Sequence, residues 1–388
     1  MTLAAVTNQS SSNVSQQAHD LHFSSIVVDT HDDTTQRLMD PKFDLGVRHD
    51  DGGIDIPRMR EGGLSAIFFA MYIPGTITGP PAVQRALDQI TAVRAVVAKY
   101  PNDLVLCTTA NEIRAAKAQN KIAVLMGVEG GHMINDSLAN LDKFYVLGVR
   151  YMTLTHMVNT DWADSSTDKP AHNGLTEFGK QAIREMNRLG MMVDVSHVSD
   201  KTFYDVLAVS QAPVIASHSS CRALCNAPRN MSDAMIKALA AKGGVIQINY
   251  HMGFLSQKFQ DAQKANPQVG KEIEAESKKR CAGSEACELI EADKVTREMV
   301  ARGKLPRVDW TEIIEHIDHA VKLVGADHVG LGSDFDGADM PYGLEDASHL
   351  PQITAALLAK RYSAGDIRKI LGGNTLRLMQ DVEADAQK

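Results

Sequence analysis

Eight short apolar runs recur along the 388-residue chain: IVVDTH (26–31), LSAIFFAMYI (64–73), KIAVLMGVEG (121–130), VRYMTLTH (149–156), MMVDVSH (191–197), PVIASHS (213–219), GVIQINY (244–250) and HVGLGSDFDG (328–337). Their hydrophobicity is nearly continuous rather than alternating, the pattern of strands buried on both faces of a parallel sheet. Parallel strands need long crossover connections, and helical patterns fill the gaps. AVQRALDQITAVRAVVAKY (82–100) puts Val83, Leu87, Ile90, Val93 and Val97 on one face. LTEFGKQAIREMNRLG (175–190) does the same with Phe178, Ile183, Met186 and Leu189, then stops at Gly190. Eight strands joined by helices predict a (β/α)8 barrel of the TIM type. A doubly wound open sheet has the same periodicity and is the alternative.

The runs extend over one unit, residues 25–388, preceded by a polar, Ser/Gln-rich stretch (1–24) read as a flexible tail. One segment breaks the rhythm: residues 255–310, before the last strand, are highly charged and read as a solvated helical insertion on the barrel rim. Insertions of that length also shape pockets or subunit contacts. A hydrophobic fraction of 44% supplies an ordinary core. The net charge of −8 argues against nucleic acid or an anionic membrane as the main partner. No apolar run approaches the roughly 20 residues that span a bilayer. Of five cysteines, Cys281 and Cys287 close the short loop CAGSEAC, as a disulfide or as free thiols. Cys107, Cys221 and Cys225 read as small buried residues.

Ionisable residues recur at or just beyond the carboxyl ends of the runs: His31 and Asp33, then Glu129, His156, His197, His218 and Asp334. In a barrel all those ends lie on one face, where active sites are built. A single buried histidine is usually a hydrogen-bonded core residue. Four histidines and three carboxylates ending six strands need a common cause. Imidazole and carboxylate without thiolate suit zinc, or manganese, cobalt or iron. His31 and Asp33, two apart on an extended segment, project to the same side and can clamp one cation, which offsets the repulsion within DTHDD. Asp29 and Asp32 read as groups behind the ligands or in solvent. Glu129 is flanked by Gly127, Gly130 and Gly131, whose open backbone is expected to leave it room to bridge two metals. Such a pair, about 3.5–4 Å apart, holds a bridging hydroxide at neutral pH.

The stretches DTHDD, GVEGGH, LTHMVNTDWADS, VDVSHVSDKTF, PVIASHSS, RNMSD and VGLGSDFDG, in this order from about residue 25 to 380, resemble the renal (membrane) dipeptidase family of binuclear zinc peptidases. The resemblance implies a distorted (β/α)8 barrel with two Zn2+ per subunit, or another divalent metal in their place. It implies His31 and Asp33 on one metal, His197 and His218 on the other, and Glu129 between them. His156 would contact the substrate and stabilise the oxyanion, Arg229 would pair with the dipeptide's free carboxylate, and Asp334 would shuttle the proton. The implied reaction is attack of a metal-bridging hydroxide on the peptide bond of dipeptides, often with a D-residue at the C-terminal position. A homodimer is compatible with it. The pattern looks like a bacterial member, periplasmic or cytoplasmic. The polar ending DVEADAQK carries no lipid-anchor signal, and the N-terminus lacks the basic start and apolar middle of a signal peptide. The segment NYHMGFL (249–255), expected to border the side-chain pocket, leaves the substrate preference open.

Two other classes fit less well. Other metal-dependent amidohydrolases, such as cyclic-amide hydrolases and deaminases, generally show His-x-His after the first strand and often a modified lysine after the fourth. Here the first pair is His-x-Asp, and no lysine lies between 144 and 168. A non-catalytic barrel would be expected to have lost ligands, and every position is filled.

Overall fold

Residues 14–386 are described by a computed structural model, and each apolar run contains one short parallel strand. The strands are β1 (Val28–Asp32), β2 (Ala66–Tyr72), β3 (Leu104–Leu106), β4 (Ile122–Glu129), β5 (Val149–Thr153), β6 (Met192–Asp194), β7 (Ile215–Ala216), β8 (Val245–Ile248) and β9 (Val329–Leu331). Eight of them run in the order β1-β2-β4-β5-β6-β7-β8-β9, and β3 pairs only with β4. The ring closes through a bridge between Asp32 and Phe335, where Asp33 N–H donates to Phe335 O (2.9 Å) and Asp334 N–H to His31 O (3.1 Å). This is the expected barrel, and the open sheet is excluded.

The distortion has a local cause. β3 occupies one edge of the first half of β4, from Ile122 to Val124. β5 takes over that edge only from Met126, and the register shifts between Met126 and Gly127. Side chains of alternating parity separate into two clusters. Val28, Ala66, Phe68, Ala123, Leu125, Tyr151, Met192, Ile215 and Val245 pack together with Leu376 and Met379 of the helix Asn374–Ala386, so that helix closes the amino-terminal end of the ring. The opposite set, including Ile67, Phe69, Val124, Met152, Val193 and Ile246, packs against the surrounding helices.

Helix Pro80–Lys99 buries Ala82, Ala86, Gln89, Ile90 and Val93, so its inner face is rotated slightly from the expected one; Val83 and Leu87 are half-buried. Helix Glu177–Leu189 ends at Gly190, whose φ of 77° is the left-handed cap that glycine adopts at least cost.

Two expectations need correction. Of the stretch 1–24, residues 1–13 lie outside the described residues, but Gln16–Ser24 is a helix and no tail. Ser15 caps it by accepting from Ala18 N–H, and His22 is fully buried between Thr354 Oγ1 (2.7 Å) and Gly62 O (2.8 Å). The 255–310 insertion is helical, as expected, but not simply solvated. Its helices Pro267–Cys281 and Glu285–Ala301 pack as a hairpin around Val269, Ile290, Val295 and Met299, and Cys281 and Cys287 are joined by a disulfide at the turn. Arg85 pairs with Glu285 and Lys294 with Asp51 (3.6 Å), tying the hairpin to the rim.

Candidate metal centre

The carboxyl ends of the strands converge on Glu129, the last residue of β4. Its Oε1 lies 3.0 Å from His197 Nε2, 3.2 Å from His218 Nε2 and 3.9 Å from His156 Nε2. Its other oxygen faces His31 Nε2 at 3.6 Å. His31 Nε2 is also 3.7 Å from Asp33 Oδ2 and 4.0 Å from Asp334 Oδ1. All seven residues expected at the strand ends therefore meet in one cluster, and Glu129 presents one oxygen to each side of it. Distances alone gather three overlapping sets: His31, Glu129 and His218; Glu129, His156 and His197; His31, Asp33 and Asp334.

The donor set fits a cation. His197 Nε2 and His218 Nε2 are 2.9 Å apart, and His31 Nε2 and Asp33 Oδ1 are buried with no hydrogen-bond partner. Buried lone pairs left unmatched are expensive, and a divalent ion satisfies several at once. Burial, reinforced by Arg229, holds His197 well below the ordinary imidazole range; burial and the neighbouring His31 lower His218. Both are then neutral, as ligation requires. Burial alone would raise Glu129, but His31, His156, His197 and His218 hold it well below the carboxylate range. Burial pushes Asp33 up to about 8, with Glu129 and Asp334 adding to the effect. A cation beside it would reverse that direction.

The backbone is strained at the same place. His197 (φ 68°) and Asp334 (φ 67°) both occupy the left-handed region, which costs a non-glycine residue on the order of 1 kcal/mol or more and clusters at functional sites.

The glycines around Glu129 do not leave open room. A Cβ on Gly127 would run into the Tyr151 ring, and one on Gly131 into Trp162. They are glycine because large aromatic side chains press against the backbone there. Nor is either flanking aspartate solvated. Asp29 accepts from Ser333 N–H (2.8 Å), Asp32 accepts from Thr34 N–H (3.0 Å), and both are buried. Sequence reasoning also missed the outer partners. Tyr151 OH meets His31 Nδ1 (2.9 Å), Ser217 Oγ meets His218 Nδ1 (2.8 Å), and Asn249 Nδ2 donates to Asp334 Oδ2 (2.8 Å).

A cavity of about 230 Å³ opens over the cluster, walled by Tyr72, Met157, His251, Phe254 and Leu289 together with Asp33, Glu129, His156, His197 and Asp334. Leu289 comes from the rim hairpin. Arg229 is set back from that wall, 4% exposed, with its guanidinium 5.3 Å from the Phe254 ring centre. Its Nη2 donates to His218 O (3.0 Å), while Nε and Nη1 have no partner. Burial pulls its pKa down to about 10.

The match that decides the family runs over residues 15–388, to the model of membrane dipeptidase, peptidase family M19. The chain belongs to the membrane dipeptidase family. It is similar to Dipeptidase 3 of Mus musculus (34% identical over 87% of this chain and 59% of that protein) and of Homo sapiens (33% over 92% and 65%). It thus spans about three-fifths of the length of those curated relatives. Among solved structures, the probable dipeptidase PvdM from Pseudomonas aeruginosa superposes with a TM-score of 0.79 at 28% identity, over 95% of this chain and 98% of that one. A metallo peptidase from Rhodobacter sphaeroides, liganded with a phosphinate mimic of the dipeptide L-Ala-D-Ala, gives 0.76 at 26% identity, over 92% and 99%. Among the described residues of this family member, no helix is long and apolar enough to cross a membrane.

Proposed function

We propose that this chain is a zinc-dependent dipeptidase that hydrolyses the peptide bond of dipeptides and tolerates a D-residue at the C-terminal position. The observation that carries the reading is Glu129, whose two oxygens are shared among four imidazoles beside a buried guanidinium with two free donors. In this reading His31 and Asp33 would hold one ion and His197 and His218 the other, with Glu129 shared between them. Divalent ions held there would supply Lewis acidity toward the scissile carbonyl and would lower the pKa of a water nucleophile.

The chain's own groups do the rest. Arg229, whose Nε and Nη1 have no partner, offers one planar edge of its guanidinium to the substrate's free carboxylate. His156, lowered by burial, is a neutral imidazole at the cavity wall and donates to the developing oxyanion. Asp334, oriented by Asn249, takes the proton from the attacking water and delivers it to the leaving amine. A cavity of about 230 Å³ suits a ligand of two residues. The L-Ala-D-Ala mimic on the R. sphaeroides relative supports the tolerance for a D-residue. The absence of lysine from the cavity wall favours peptide hydrolysis over the cyclic-amide and deaminase chemistries. The Cys281–Cys287 disulfide supports an oxidising compartment, such as a bacterial periplasm.

The test is amino-acid release from a panel of dipeptides with L- and D-residues at the C-terminal position, in zinc-supplemented buffer. Rapid release from some members is expected. No cleavage of any member, by protein shown to carry two metals, overturns the assignment.

A further inference from the structure

Asp194, the last residue of β6, is fully buried and forms no ion pair among the described residues. Its cage is made of neutral donors. Oδ1 accepts the N–H groups of Ser196 (3.0 Å) and Ser217 (2.9 Å), and Oδ2 accepts the hydroxyls of Thr153 (2.5 Å) and Ser217 (2.6 Å). Four donors and no acceptor fit a carboxylate. A buried carboxylate with no ion pair is costly, and the Arg229 charge acts on it only at longer range, so the fold keeps it for another reason.

That reason lies one hydroxyl away. Ser217 Oγ has a single proton, and the carboxylate is the strongest of its acceptors, ahead of His218 Nδ1 and the more distant Ser196 Oγ (3.5 Å). What the hydroxyl then offers to His218 Nδ1, 2.8 Å away, is a lone pair. His218 must therefore carry its proton on Nδ1, which leaves the Nε2 lone pair aimed at Glu129 and His197. Its neighbours are held differently. His31 Nδ1 meets a neutral phenol, that of Tyr151, and His197 Nδ1 is buried with no partner. Only His218 of these three is backed by a charge.

We propose that Asp194 is a positioning residue that acts through Ser217 to fix the tautomer and ring orientation of His218, and so sets the affinity of the metal that His218 holds. The proposal rests on the reading of His218 as a ligand. Partners of this kind typically change metal affinity by roughly ten- to a hundredfold when removed.

The experiment is zinc binding to wild type, Ser217→Ala and Asp194→Asn, titrated against a chromophoric chelator, with 15N imidazole spectra and thermal melting on the same samples. Wild type is expected to bind two ions. Each variant should lose roughly ten- to a hundredfold in affinity for one ion, hold the other within about threefold, and lose the fixed Nδ1–H signal of His218. Two ions at wild-type affinity in both variants overturn the relay. Equal weakening of both ions also overturns it, because general damage to the barrel does that. Should Asp194→Asn fail to fold, Ser217→Ala decides, since it keeps the carboxylate and both backbone donors. A wild-type protein that binds no pair of ions refutes the metal reading instead, which separates the two failures.

Discussion

Arg229→Ala separates recognition of the substrate from the chemistry performed on it. The guanidinium is 4% exposed, spends one N–H on His218 O, and holds Nε and Nη1 unpaired. A dipeptide carboxylate would pair with one edge of the guanidinium through two charge-assisted hydrogen bonds, each contributing about 1.5–3 kcal/mol. Truncation to alanine removes both and strands the carboxylate in a buried site, a loss of about 3–5 kcal/mol, or roughly 10²–10³-fold or more in kcat/KM. Lysine restores the charge but not the fork, and recovers only about half of that free energy. The assay compares kcat and KM for a good dipeptide and for its C-terminal amide. Wild type should strongly prefer the free acid, and Arg229→Ala should bring the two substrates together, mainly through KM of the acid. Zinc content is measured alongside, because the bond to His218 O is lost as well. An Arg229→Ala enzyme with full metal that still prefers the acid as strongly as wild type refutes the assignment, and the carboxylate is then read elsewhere.

Glu129→Gln removes the charge shared by both sides of the cluster, and both ions should weaken and turnover disappear; full activity with full metal contradicts the bridging role. Gly127→Ala places a methyl against the Tyr151 ring, which costs about 1–3 kcal/mol of stability by overpacking. Because Tyr151 holds His31, zinc affinity should fall with it, and an unchanged affinity would uncouple the two. Acid should loosen the N-terminal helix. Burial lowers the pKa of His22 from 6.5 to about 4, so the unfolded chain takes up the proton first as pH falls. Its contribution is complete above pH 6.5 and is lost on the way down to about 4, roughly 2 kcal/mol of it by about pH 5. Denaturation of wild type against His22→Gln checks this, since the difference between them should shrink by that amount from neutral pH to about pH 5.

The strands were legible because parallel strands buried on both faces are apolar throughout, and their ends were legible because ionisable residues stand out against such runs. The three-residue β3 went unseen, since LVL between Asp103 and Cys107 is too short to register as a run. Helix Gln16–Ser24 was hidden for the opposite reason: it is docked by Ala18, Leu21 and a buried histidine rather than by an apolar stripe. Tyr151, Asp194 and Ser217 looked like ordinary strand residues. Only the pleat, which turns Tyr151 toward His31 and Asp194 toward Ser217, reveals what they touch, and pleat orientation in a shifted register is not written in a local pattern. The glycines beside Glu129 misled because a missing side chain reads equally as room and as close approach.

The seam that closes the barrel has a consequence for how the protein is made. Asp334 N–H donates to His31 O, Asp33 N–H to Phe335 O, and Asp29 accepts from Ser333 N–H, so the first and last strands are joined through the residues of the site itself. A chain still emerging from the ribosome has His31 and Asp33 from the start but lacks their counterparts until about 300 residues later. Chains that stop before β9 therefore carry one side of the seam and lack Asp334 of the cluster. The cluster around Glu129 is complete only once β9 and the residues just after it have been made and the two ends of the ring have met.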